Sequence, residues 1–167
     1  MTQDKKINVY LLIVLATMLI LPLACILGEV LLKKIPFSVA LAGKYFIFWA
    51  IGIRLFVAGV KQTIQPRFTA AEIFGIQNSE ESFVIIRELG FANICMGLMG
   101  ILSFFINEWR PIAAITGGLY FGLAGIQHVV KKADSGNEVI AMISDLFLFG
   151  LMLTYLLFIL LRNVSPA

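Results

Sequence analysis

Five long apolar runs alternate with short polar segments along the chain. The hydrocarbon core of a bilayer needs about 20 helical residues to cross it, and each run is long enough to form such a helix. The predicted spans cover residues 8–32, 39–61, 80–106, 111–130 and 138–161. The pattern therefore predicts an all-α fold, a polytopic transmembrane helical bundle of five spans that forms a single membrane domain over residues 1–167.

The composition agrees with this interpretation. Of 167 residues, 60% are hydrophobic and only 14% are charged, and the mean hydropathy is +0.95. These values lie outside the usual balance of a soluble domain. The net charge of +3 comes from basic residues scattered between the apolar runs rather than gathered into a patch, so no nucleic-acid partner is expected.

The distribution of lysine and arginine around the spans predicts their orientation. Cytoplasmic loops carry an excess of these residues, and an odd number of spans places the termini on opposite sides. Six lie near span ends on the N-terminal side and four on the other side; they are Lys5, Lys6, Lys61, Arg67, Lys131 and Lys132, against Lys33, Lys34, Arg110 and Arg162. This bias predicts a cytoplasmic N-terminus.

The longest connection, between the second and third spans, contains a capping-box pattern at Thr69 and Glu72. It predicts a short helix over residues 69–76 that lies on the membrane surface, with Phe68, Ile73 and Phe74 toward lipid. An ordered loop without a helix is the alternative. Ser79 is predicted to cap the third span.

Small residues recur at intervals of three or four along two spans, which lets another helix backbone approach closely. These predicted packing positions are Gly90, Asn93, Gly97 and Gly100 on the third span and Gly118 and Gly122 on the fourth. Such a seam also offers an interface for a homodimer or another membrane protein.

Ionisable residues within the spans form the candidate site. Arg54, Arg87, Glu88 and Asp145 lie inside predicted spans, and His128 lies near the end of the fourth. At 1.5 Å per residue, these groups fall in the cytoplasmic third of the membrane. A charge at the centre of a span costs on the order of 3 kcal/mol, so partners are expected. Matched depth predicts that Arg54 pairs with Glu88, and that Arg87 or His128 lies near Asp145. Arg87 has the alternative of extending to the headgroups.

A second pair is predicted at the opposite end of the bundle. Glu29 near the end of the first span and Lys44 near the start of the second have similar depth across a short loop. This pair is interpreted as structural.

No motif points to a cofactor or metal. The two cysteines, Cys25 and Cys95, lie inside apolar runs without metal-binding spacing, and His128 is the single histidine. No nucleotide-binding or acyl-transfer motif is present. We therefore expect no cofactor, no metal site and no catalytic residue, and an enzyme is the less favoured class.

Three stretches carry a resemblance to a known family. They are IRLFVAGVKQTIQP in the second span, RELGFANICMGLMGIL in the third and GGLYFGLAGIQHV in the fourth. Residues 44–161 resemble the DoxX-like membrane proteins and, more closely, an uncharacterised bacterial family of multi-pass membrane proteins. The resemblance implies a multi-pass protein of the bacterial inner membrane with a four-helix core, to which the first span adds an N-terminal helix. Some DoxX-like proteins are subunits of quinone-linked sulfur oxidation or accessory proteins in redox-stress systems, although this chain has no paired-cysteine motif.

Three functions remain open from the sequence. The first is a non-enzymatic subunit or bundle that binds membrane lipids, a quinone-like molecule or another small polar ligand at the charged cluster. The second is a small proton-coupled transporter in which Glu88 or Asp145 binds the proton and Arg54 is its exchangeable partner. The third is a membrane enzyme in which Glu88 and His128 act as general acid and base.

Overall fold

The structure is a computed structural model that describes residues 9–76, 79–133 and 135–164. The regular structure in these residues is all helical. In chain order the helices are α1 (Val9–Leu32), α2 (Val39–Ile64), α3 (66–73), α4 (Glu80–Leu102), α5 (Trp109–Lys131) and α6 (Gly136–Val164). All except α3 are long and apolar enough to cross a membrane, as the sequence predicted. Asn8, at the start of the predicted first span, and the basic residues Lys5 and Lys6 lie outside the described residues.

The third span is shorter than predicted. Helix α4 ends at Leu102 rather than at residue 106. The Ser103 hydroxyl donates a hydrogen bond to the Gly100 carbonyl at 2.7 Å. Arg110, at the start of α5, donates to the carbonyls of Ser103 and Phe104 at 3.1 and 3.3 Å. These bonds satisfy carbonyls at the end of α4 and turn the chain directly into α5.

Helices α2, α4, α5 and α6 form a four-helix bundle, and α1 packs on its outside against α2 and α6. The most intimate contacts join α2 to α4 and α5 to α6. Helix α2 is the most buried of the five long helices because it touches all the others. The apolar core runs along the length of α2 and includes the fully buried Ile47 and Ile51.

The predicted glycine seams lie inside this bundle. A Cβ atom at Gly100 would lie 2.6 Å from the backbone nitrogen of Gly52 on α2, and one at Gly97 would lie 2.5 Å from that of Phe56. Gly118 and Gly122 face Met152 and Phe149 on α6 instead. Close backbone approach therefore explains these small residues. Because both seams are occupied within one chain, they are not available for a second copy.

Helix α2 contains a π-helical segment, Ile47–Ile53, directly before Arg54. A π-helical turn holds an extra residue compared with an α-helical turn, so the residues after it are rotated relative to those before it. One extra residue changes the direction of the next side chain by about 100°. The segment therefore helps to set the direction in which Arg54 leaves α2.

The short helix α3 is present, and it begins three residues before its predicted start. It begins at Pro66, whose fixed backbone suits the first turn, and Thr69 is buried in its middle instead of capping it. Phe68, Ile73 and Phe74 do not point only to lipid, because all three line an internal cavity. The apolar residues of this segment predict contact with lipid, but apolar residues that line an internal cavity give the same sequence pattern.

The start of α4 follows the sequence prediction. Ser79 is its N-cap: the Ser79 hydroxyl accepts a hydrogen bond from the Ser82 backbone at 3.2 Å, and the Ser82 hydroxyl accepts one from the Ser79 backbone at 3.1 Å. Glu80 and Glu81 occupy the first turn, where a negative charge interacts favourably with the helix dipole.

Candidate functional site

A cavity of about 160 Å³ lies where all six helices meet, near one end of the bundle. We call this the Arg54 end and the opposite end the Glu29 end. Most of the lining is apolar. The polar and ionisable side chains in the lining are Tyr10, Arg54, Lys61, Gln62, Thr69, Asn93, Tyr120, His128 and Asp145.

Arg54 is the central cation of this cavity, and it is 8% exposed. Its Nη2 atom donates to Asp145 Oδ1 at 2.9 Å and to Ser144 Oγ at 2.8 Å. Its guanidinium lies over the Phe121 ring, 5.0 Å from the ring centre. The Nη1 atom is buried and has no hydrogen-bond partner among the described residues. Since a buried donor without a partner is costly, this atom is available to a ligand oxygen or to water.

Asn93 supplies an unpartnered acceptor on the opposite wall. Its side-chain nitrogen donates to Gln62 Oε1 at 2.8 Å, which links α4 to α2. Its Oδ1 atom is buried and lacks a partner in the described part of the chain. The Tyr120 hydroxyl lies close to the Asn93 amide, and the Tyr10 hydroxyl lies close to the Arg54 guanidinium. The cavity thus presents both donors and acceptors.

His128 connects the cavity to a second ion-pair group. Its Nδ1 atom lies 3.3 Å from Glu138 Oε1, and Lys131 Nζ lies 3.2 Å from the same oxygen. Lys131 Nζ also donates to the Phe74 carbonyl, which ties the end of α5 to the segment after α3. These contacts hold His128 in the cavity wall and join the end of α5 to the start of α6.

Lys61 adds a positive charge that is not balanced by an ion pair with a carboxylate of the described residues. It lies on α2, seven residues after Arg54, and it lines the cavity. Its Nζ atom lies 3.4 Å from the centre of the Phe68 ring, and it forms no ion pair with any described residue. Because Arg54 is matched by Asp145, Lys61 makes the cavity favourable for an anion.

The cavity is only partly enclosed, and some of its lining residues also form the outer surface of the bundle. Two of its lining residues, Ile13 on α1 and Val57 on α2, are 39% and 46% exposed. Both are apolar and lie in membrane-spanning helices. A polar group can therefore occupy the interior while an attached apolar chain extends to the lipid-facing surface.

The structure separates the predicted site residues into two groups. Arg54, His128 and Asp145 meet at the cavity, whereas Arg87 and Glu88 are exposed on the outer face of α4. The predicted Arg54–Glu88 pair is wrong, since Arg54 pairs with Asp145, and Arg87 is not the partner of Asp145. Glu88 does not pair with Arg54 because its side chain points away from α2. The glycine seam of α4 packs against α2, and Glu88 lies on the opposite side of the helix. A general acid–base pair of Glu88 and His128 is ruled out by the same geometry.

At the Glu29 end the predicted ion pair is present. Glu29 Oε1 lies 3.2 Å from Lys44 Nζ, and it also accepts from the Tyr45 hydroxyl at 2.6 Å and from Lys33 at 3.4 Å. Lys44 Nζ lies 4.8 Å from the centres of the Tyr45 and Phe104 rings. One carboxylate oxygen thus joins α1 to α2.

Sequence reasoning missed several members of the cavity region. Glu138 is 3% exposed and was assigned only as the start of a span. Its signal was its position seven residues before Asp145, which places the two acids on the same face of α6. The same spacing relates Lys61 to Arg54 on α2. Tyr10 and Tyr120 had no signal of this kind, because aromatic residues near membrane interfaces are common.

Comparison with known proteins identifies the family of the chain but not an activity. The model of a family of unknown function (DUF6790) matches residues 11–165, so the chain belongs to this family. No curated protein and no solved structure matches it. Membership of an uncharacterised family is thus confirmed, whereas nothing in the match connects the chain to DoxX-like proteins.

Proposed function

We propose that this member of the DUF6790 family is a non-enzymatic membrane protein that binds an oxygen-rich headgroup in the cavity at the Arg54 end. The ligand is an anionic phospholipid or a quinone-like molecule whose apolar chain extends into the bilayer. The observation that carries the proposal is the pair of unpartnered buried atoms, Arg54 Nη1 and Asn93 Oδ1, in one cavity.

The chemistry of these two atoms defines the ligand. Arg54 Nη1 requires an acceptor, which a phosphate oxygen or a quinone carbonyl supplies. Asn93 Oδ1 requires a donor, which a headgroup hydroxyl or a quinol hydroxyl supplies. The cavity of about 160 Å³ is smaller than the roughly 300–1,000 Å³ of a site that encloses a drug-sized molecule, so it accommodates a headgroup only.

The orientation of the protein belongs to the same proposal. The bias of lysine and arginine favours an orientation with the Arg54 end toward the cytoplasm, and the membrane we propose is a bacterial inner membrane. In this orientation the cavity takes its ligand from the cytoplasmic leaflet, which is rich in anionic lipid.

The test fills the cavity without changing any charge. Ala124 lines the cavity on α5, and Ala124→Leu adds a side chain there. The matched control is Ala24→Leu at an exposed position of α1. Both proteins are purified in detergent, and bound lipids and quinones are extracted and quantified by mass spectrometry. We expect Ala124→Leu to lose the bound species and Ala24→Leu to keep it. Equal retention in all three proteins, or no bound species in the wild type, would overturn the proposal.

A charge variant distinguishes the two ligand sources. Lys61→Gln removes the unbalanced cation, whereas Lys34→Gln at an exposed position is its control. Binding is titrated with phosphatidylglycerol nanodiscs and, separately, with a short-chain ubiquinone. An anionic headgroup predicts that Lys61→Gln weakens phosphatidylglycerol binding while ubiquinone binding is absent throughout. A quinone ligand predicts ubiquinone binding that changes little in Lys61→Gln.

A proton-coupled transporter is the second candidate. The observation in its favour is that the Arg54–Asp145 pair lies in the cavity rather than in a dry contact between helices. In that case Asp145 exchanges between a proton and Arg54. Proteoliposomes with an imposed pH gradient test it: solute-dependent proton flux that is lost in Asp145→Asn would support transport, and flux at background for the wild type would reject it.

A further inference from the structure

The outer face of α4 carries charge at a depth where the rest of the helix surface is apolar. Glu88 lies nine residues before Gly97, or two and a half helical turns, so it points directly away from the seam with α2. The exposed residues around it include Val84, Phe91 and Leu98. Glu88 is eight residues after the first residue of α4, roughly 12 Å along the helix axis.

A carboxylate in this position faces hydrocarbon in a single copy of the chain. Acidic residues within membrane spans almost always face a bundle interior or pair with another group. The side chain of Glu88 is too short to extend to the headgroups as arginine does. Among the described residues no ion pair is formed by Glu88 or by the adjacent Arg87. Both charges therefore lack an ion-pair partner in the described part of the chain.

We propose that this face of α4 is the interface of a homodimer in which Arg87 of each copy pairs with Glu88 of the other. In a two-fold dimer whose axis is normal to the membrane, equivalent residues lie at the same depth in both copies. Adjacent residues on a helix point about 100° apart, so Arg87 lies on the flank of the face that Glu88 centres. From there its long side chain reaches the Glu88 of the second copy. Two arginines and two glutamates at one depth sum to zero charge.

The spacing of residues along the same face suits two parallel helices. Glu88, Ala92 and Cys95 are exposed and separated by four and then three residues, which is the spacing of a coiled-coil seam. Ala92 and Cys95 are small and allow close approach of the two helices. A partner of different sequence would have to supply both charges at matching depth, whereas a second copy of this chain supplies them by symmetry.

Cys95 allows a direct test, because the chain contains only two cysteines. In a Cys25→Ala background, the proposal places the two Cys95 side chains opposite each other across the two-fold axis. Oxidation of native membranes with copper phenanthroline is expected to yield a disulfide-linked dimer of twice the 18.5 kDa chain mass. The control, Cys95→Ala, keeps Cys25 on α1 and is expected to remain monomeric on a non-reducing gel.

Charge reversal then tests the pairing itself. In the Cys25→Ala background, Arg87→Glu gathers four acids and Glu88→Arg gathers four bases at the interface. Each is expected to lower the cross-linked fraction by about three- to twentyfold, the range of polar interactions between membrane helices. The double variant Arg87→Glu/Glu88→Arg, and co-expression of the two single variants with different tags, are expected to restore it. Thermal unfolding of each purified variant serves as the folding control, since both positions are exposed.

Three outcomes would overturn the proposal. The first is a single photobleaching step per fluorescent particle in vesicles, together with no Cys95 cross-link, which makes the chain a monomer. The second is a cross-link that single charge reversals leave unchanged, which removes the role of Arg87 and Glu88. The third is a Cys95 cross-link only to a different protein, which assigns the face to another partner.

Discussion

Each end of the bundle holds a buried carboxylate in an ion pair, yet the two ends differ in how completely their polar atoms are paired. At the Glu29 end one carboxylate oxygen meets three donors, Lys33, Lys44 and Tyr45, and the nearest buried atom without a partner in the described chain is Nε1 of Trp49, which lies in the apolar core rather than in the ion-pair group. At the Arg54 end the ion pair borders a cavity, and Arg54 and Asn93 each have a buried atom without a hydrogen-bond partner among the described residues. Complete pairing indicates a structural role, whereas incomplete pairing around a cavity favours a ligand.

The largest expected effect comes from breaking the ion pair beside the cavity. Asp145→Leu leaves the Arg54 charge buried without a carboxylate, and we expect the free energy of unfolding to fall by about 3–5 kcal/mol. The double variant Arg54→Met/Asp145→Leu removes both charges and is expected to recover most of this loss. Thermal unfolding of the proteins in detergent measures both. Equal destabilisation in the single and double variants would show that the pair itself is not the cause.

Two glycines of α4 contact α2, one toward each end of the bundle, so substituting each of them tests the two ends separately. Gly100→Ala and Gly90→Ala each place a Cβ atom against α2, 2.6 Å from the Gly52 nitrogen and 2.7 Å from Thr63 Oγ1. We expect each to destabilise the protein by about 1–3 kcal/mol through forced separation of the helices. Gly150→Ala meets no atom within 4 Å and is the control. Of the two, only Gly90→Ala is expected to alter ligand retention as well, because its Cβ atom also contacts Gln62, the partner of Asn93.

Removal of one hydroxyl at each end sharpens the contrast. Tyr45→Phe deletes the 2.6 Å hydrogen bond to the Glu29 carboxylate, and we expect a loss of about 1.5–3 kcal/mol. Tyr120→Phe removes a hydroxyl that lines the cavity, and its effect on unfolding is expected to be smaller, with the change appearing in ligand binding. Chemical denaturation and ligand extraction on the same preparations separate the two effects. If Tyr120→Phe were the more destabilising change, the contrast between the two ends would not hold.

The smallest effect is expected at the exposed donor to Glu29. The Lys33 side chain is 66% exposed, and an exposed ion pair contributes little. Lys33→Ala should therefore change the free energy of unfolding by less than about 0.5 kcal/mol. Lys44→Ala, whose side chain is 22% exposed and packs on two rings, should cost more. The difference in thermal midpoint between these two variants is the measurement, and equal midpoints would contradict it.

Much of the fold and part of the site could be predicted from the sequence. Apolar length predicted the five long helices, and local chemistry predicted the Ser79 cap. The Glu29–Lys44 pair could be predicted because a short loop makes these residues neighbours. Arg54 could not be assigned its partner in this way, since Asp145 is 91 positions away and depth alone does not distinguish it from Glu88.

Helix periodicity in the sequence shows that the glycine seam and Glu88 lie on opposite faces of α4. Asn93 and the glycines lie on one face and Glu88 on the other, so a seam that packs inward requires a glutamate that points outward. The sequence does not state which face packs inward, because both a glycine seam and a buried charge are reasons to face a neighbouring helix.

By itself, the sequence determined that the chain is an all-helical membrane protein with charged residues in its spans. Local rules suffice for this, since apolar length and capping depend only on nearby residues. Only the tertiary structure decided that Arg54, Asp145 and His128 meet at a cavity while Arg87 and Glu88 face outward. The direction of each helix depends on the close fit of α4 against α2 and of α6 against α5. Such packing joins residues far apart in the chain, and no single segment encodes it.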